Sequence, residues 1–152
     1  MAARDRTVDR DRDERTPAQW YSLIFGAVLL IAGIAGFFAD SSFGDLGSDV
    51  QGDELIVFEV NGWHNLVHIA SGLAGLALAA RPSTARLYAL GFGVVYLLVT
   101  IWGIVDGNDV FGLLPVNGAD NVLHIAIAVT GILAGLASDP RRLGARGRPH
   151  AA

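Results

Sequence analysis

The chain has 152 residues, of which 52% are hydrophobic, and its mean hydropathy is +0.44. That is too apolar for an ordinary soluble domain and places the chain among integral membrane proteins. It contains no cysteine, which excludes disulfides, thiolate metal sites and thiol redox chemistry; a net charge of -4, with an N-terminal arm whose charges cancel, argues against nucleic acid as a partner.

The first sixteen residues alternate Arg4, Arg6, Arg10, Arg12 and Arg15 with Asp5, Asp9, Asp11, Asp13 and Glu14, a neutral and well-solvated pattern that predicts a disordered arm over 1–16. A membrane domain follows over 17–139, with spans predicted at about 18–39, 62–80, 86–105 and 119–138 from four apolar blocks, Trp20 to Ala39, Trp63 to Ala80, Leu87 to Val105 and Val122 to Ala137. Ala39 and Ser41 are spaced like the small residues of a signal-peptide cleavage site. The internal repeat described below would lose a helix on cleavage, so the first block reads as a permanent span. The loops at 40–60 and 106–117 are acidic, and the longer one contains Leu55-Ile56-Val57-Phe58, a run suited to a strand or to lying against the helix ends. Residues 140–152 read as a second disordered tail.

All eleven basic residues are Arg, and they fall in the arm, at Arg81 and Arg86 between spans two and three, and at Arg141, Arg142, Arg146 and Arg148 in the tail. The loops at 40–60 and 106–117 hold none. The positive-inside rule then puts both termini in the cytoplasm and both acidic loops outside.

Two segments repeat the pattern N-G-x-x-N-x-x-H-I-A, Asn61 to Ala70 and Asn117 to Ala126, 56 positions apart. Spans one and three match at a shift of 67, pairing Tyr21 with Tyr88, Gly26 with Gly93 and Gly36 with Gly103. The fold class that follows is all-α: a polytopic four-helix membrane bundle of two tandem helical hairpins, a parallel internal repeat with N-in/C-in topology.

On a helix, Asn61, His64, Asn65, His68, Gly72 and Gly75 share one face, and Asn117, Asp120, Asn121, His124, Ala128 and Gly131 share the corresponding face of span four. Intramembrane polar residues face other helices, so His68 and His124 should point inward, about 10 Å below the helix starts, near Thr100 and Tyr96 of span three. Asn61 and Asn117 suit N-caps, with Asp120 an acid in the first turn. One reading of this layer is structural, with the Asn and His side chains bonding helix to helix. Another is a divalent metal site: His64 and His68 are spaced i,i+4, and Asp120 and His124 occupy the equivalent positions, giving three imidazoles and a carboxylate suited to zinc or copper. Haem held by His68 and His124 is a third reading, although no Arg lies on this face to meet propionates. A proton relay would need charged groups that continue the path inward, and spans two and four hold none below the histidines; no nucleophile motif such as G-x-S-x-G or H-E-x-x-H occurs. Trp20, Trp63, Trp102, Tyr21 and Tyr88 lie near span ends, as interfacial anchors do.

The paired N-G-W-H-N-L-V-H and A-D-N-V-L-H segments, with R-L-Y-A-L-G-F-G-V-V-Y between them, resemble an uncharacterised actinobacterial family of four-helix membrane proteins known as domain of unknown function 4383. The resemblance covers about residues 18 to 137 and implies four spans in a bacterial plasma membrane and no assigned activity. The expectation is a non-enzymatic plasma-membrane protein, a structural or partner-binding component that contacts lipid and a second copy or another membrane protein; the alternative is metal or haem binding through His64, His68, Asp120 and His124.

Overall fold

The computed structural model describes residues 14–44, 47, 50–106 and 109–140, the Asp106 side chain excepted. Nearly all of the arm predicted over 1–16 and of the tail over 140–152 lies outside them. Four helices account for most of the described chain: α1 (Pro17–Ala39), α2 (Gly62–Leu78), α3 (Pro82–Asp106) and α4 (Gly118–Ala137). Two antiparallel strand pairs lie between them, β1 (Asp53–Leu55) with β2 (Phe58–Val60) and β3 (Asp109–Val110) with β4 (Leu114–Pro115). The apolar run in the longer loop thus becomes a hairpin turning at Ile56-Val57, with Ile56 at φ 67. The shorter loop also forms a hairpin, for which its sequence shows no apolar run of comparable length.

Three of the helices begin at a side-chain cap that meets free N–H groups of the first turn. Thr16 and Gln19 form a capping box ahead of Pro17, Asn61 accepts from His64 N, and Asn117 forms a second box with Asp120. Helix α3 starts at Pro82, four residues before the predicted span, because Pro suits a first turn and the polar turn carrying Thr84 and Arg86 is helical too.

Three of the helices, α1, α3 and α4, are long and apolar enough to cross a membrane, and only 28 to 33% of each apolar window is buried inside the protein. Ile31, Phe38, Leu98, Val105, Val122 and Leu133 all point outward. Exposed apolar surface on this scale calls for a hydrocarbon solvent. The 17 residues of α2 rise about 25 Å, at the short limit for a span.

Helix α1 packs along α2, and α3 along α4, while α1 also touches α3 and α4. Small residues set both close approaches: a Cβ at Gly26 would meet the backbone of Gly72 and Gly75, and one at Gly93 the backbone of Ala128. At the middle, Tyr21 donates to Ile127 O (3.1 Å) and Tyr88 donates to Ser71 O (3.0 Å). These bonds join positions matched by the two sequence shifts, each tyrosine reaching the other helix pair. Ala18, Ala85, Ala89, Tyr96 and Ile127 complete the core around them.

The two ends differ in chemistry. Away from the hairpins, Gln19 Nε2 donates to Ala79 O, Ala18 N to Ser138 Oγ, and Arg86 pairs with Asp139 at 3.4 Å. At the other end the hairpins cover the helix starts.

Candidate functional site

The hairpins are fastened by the same asparagines that cap the helices. Asn61 Nδ2 donates to Leu113 O (3.0 Å), and Asn117 Nδ2 donates to Val57 O (2.9 Å), so each helix start holds the other pair's hairpin. Val57 and Leu113 are also 56 positions apart. The match runs back from Asn61 and Asn117 through Val60 and Val116 to Asp53 and Asp109, a continuation of the repeat that would have signalled the second hairpin.

Asp120 belongs to this cap. Its Oδ2 accepts from Asn117 N (2.9 Å) and from Glu59 N (3.0 Å), tying β2 to α4. Asn65 Nδ2 donates to Asp40 O and fixes the end of α1. Thr100 donates to Tyr96 O within its own helix and contributes nothing to the layer.

The three histidines remain. Their side-chain nitrogens, one from each ring, lie within 4.8 Å of one another, and Asp120 is not among the group. His64 and His124 are buried and His68 partly so. The His64 ring lies 4.4 Å from that of His68 and 6.4 Å from that of His124, and Tyr96 closes on His124 edge to face at 4.9 Å. His64 Nδ1 sits 3.1 Å from Pro115 O. A carbonyl only accepts, so Nδ1 carries the proton and the lone pair is left on Nε2. Among the described residues, Nδ1 of His68 and of His124 are buried without a hydrogen-bond partner, as are Oδ1 of Asn65 and of Asn121. Buried polar atoms are seldom left so.

These rings line a cavity of about 70 Å³ together with Ser71, Phe92, Tyr96, Leu114, Val116 and three valines, Val67, Val95 and Val99. Of these, Val67 and Val95 are exposed, so the cavity's open flank lies between α2 and α3. Val95 and Val99 also line an apolar groove of about 590 Å³ that runs along α3 past Leu98, Trp102 and Val105 to Phe111. Spacing along a helix could not have revealed Pro115, Leu114 and Val116, which the second hairpin brings to the histidines.

No curated protein and no solved structure matches the chain. A family profile does match, over residues 19–137, and the chain therefore belongs to the family described as Domain of unknown function (DUF4383).

Proposed function

We propose that this is a multi-pass protein of the bacterial plasma membrane that binds one metal ion through His64, His68 and His124. The observation that carries the reading is the convergence of three imidazole nitrogens within 4.8 Å, with the Nδ1 atoms of two rings buried and unpartnered. Imidazole is a ligand of zinc and of copper, and a ligating histidine commonly donates its other ring N–H to a carbonyl, as His64 does to Pro115. A cavity of about 70 Å³ suits an ion and has no room for haem. The polar layer divides by role: Asn61, Asn65, Asn117 and Asp120 hold the cap together, and the histidines bind. The role is binding, with no catalytic step assigned.

The topology belongs to the same reading. Two tandem hairpins in a four-helix bundle account for the crossed pairs Tyr21 to Ile127 and Tyr88 to Ser71. Cytoplasmic termini account for Arg15, Arg81 and Arg86, which all lie at the end away from the hairpins. Helix α2 is then the fourth span, at the short limit of length.

Elemental analysis of the detergent-purified protein tests the site. One metal per chain, lost in His68→Ala and in His124→Ala while helicity is kept, is the expected result. A metal-free protein whose histidine variants are only less stable would leave the structural reading, in which the three rings merely pack α2 against α4 and β4.

A further inference from the structure

We infer that the ion is copper in its monovalent state; this rests on the three-histidine reading above and concerns which metal that site selects. The argument is one of charge and coordination number. The cavity wall offers three neutral imidazoles, Ser71 and the Tyr96 ring, and the rest of it is aliphatic or phenyl, with no carboxylate in it. The acid of the layer, Asp120, spends its Oδ2 on two backbone N–H groups and lies outside the ligand group.

Moving an ion into such a medium carries a cost that grows with the square of its charge, so a dication with three neutral ligands is penalised far more than a monocation. Zinc also requires a fourth ligand, in most open sites a water. A buried water needs two to four polar partners, and the flank through which one would enter is Val67 and Val95, continuous with the apolar groove along α3. Cuprous copper is satisfied by three nitrogen donors and needs neither the anion nor the water. The same features disfavour the cupric state, so copper entering as the divalent ion should be held as the monovalent one after one-electron reduction by ascorbate.

The test uses the full chain in detergent, stripped with chelator and handled without oxygen. Cuprous ion kept reduced by ascorbate is titrated against a coloured cuprous chelator, then challenged with zinc. The expected result is one copper per chain, retained at about tenfold excess zinc, corresponding to at least about 1.4 kcal/mol of preference. Ser71→Asp places a carboxylate on the cavity wall and should raise the zinc share about tenfold, while Ser71→Asn, of similar size and uncharged, should not. Zinc occupying the wild-type site in preference to copper would overturn the inference and leave the three-histidine site standing. If neither metal binds, the metal site fails along with it.

Discussion

The Nδ1 atom of His64 lies 3.1 Å from the carbonyl oxygen of Pro115, so a backbone group from the second hairpin fixes the tautomer of a ring on α2. Loss of that contact would remove the acceptor that keeps the proton on Nδ1. In ¹⁵N-labelled protein without metal, the His64 ring should therefore show a protonated Nδ1 and an unprotonated Nε2. A spectrum with the proton on Nε2 would break the link between the hairpin and the ligand set.

The crossed tyrosine bonds predict matched energetic effects. Tyr21→Phe and Tyr88→Phe each remove one hydroxyl donating to a carbonyl of the other helix pair, at nearly equal lengths. Interhelical hydrogen bonds in membrane proteins average about 0.6 kcal/mol. Each substitution should cost about that much in a denaturant titration, and the two costs should agree. A large cost for one and none for the other would mean that the two halves carry unequal loads.

How far the sequence reaches is set by which forces are local. Apolar blocks and cap residues act within a helix, so the helices and their starts at Asn61 and Asn117 were legible. Hydropathy alone starts helix α3 at about 86, four residues late, because Pro82, Ser83 and Thr84 look like loop residues. Strands of two or three residues have too little periodicity to detect, and here only the 56-residue shift carried the information. The site was half legible. Spacing put His64 with His68 on one face and Asp120 with His124 on another, but a shared face does not fix reach, and the Asp120 carboxylate turns to the N–H groups of Asn117 and Glu59 instead.

Glycine substitutions should separate packing from helix propensity. A Cβ at Gly36 would run into the Asn65 carboxamide, which is held by its bond to Asp40 O and cannot swing away without cost. Gly36→Ala should destabilise the α1–α2 pair by about 1–3 kcal/mol, the usual penalty of overpacking. Gly91, also within a long apolar helix, has nothing within 4 Å of its Cβ direction. Gly91→Ala should be neutral or stabilising by about 0.5–1 kcal/mol, from helix propensity alone. Thermal unfolding in one detergent compares the two, and equal losses would count against the close α1–α2 approach.

Glu59 gives the cap a pH dependence. Partial burial raises its carboxyl above the ordinary value, the Gly52 N–H bond works against that, and the nearby Asp120 and Glu54 charges add to it. The folded state therefore holds this proton more tightly than the unfolded one. Its stabilising contribution is full below the ordinary glutamate range and is lost as pH rises through the raised value. Hydrogen exchange in β1 and β2 should thus slow on mild acidification, after correction for intrinsic rates, and Glu59→Gln should flatten that response. An unchanged slope in the variant would assign the effect to another group.

Asp120 and His124 stand one helical turn apart and should fail differently. Asp120→Ala removes an acceptor shared by Asn117 N and Glu59 N, and losing such a helix-start cap costs about 0.5–2 kcal/mol. Because the carboxylate lies outside the cluster of three imidazoles, the proposed site should still take up metal in this variant while β2 exchanges faster and the melting temperature falls. His124→Ala should do the reverse, abolishing metal retention with the hairpins still in place, since Asn117 and Asp120 continue to hold them. The comparison needs both measurements on both proteins. Metal loss in Asp120→Ala with its cap intact would return the carboxylate to the ligand set, and the preference for a monovalent ion, which depends on a wall without acid, would go with it.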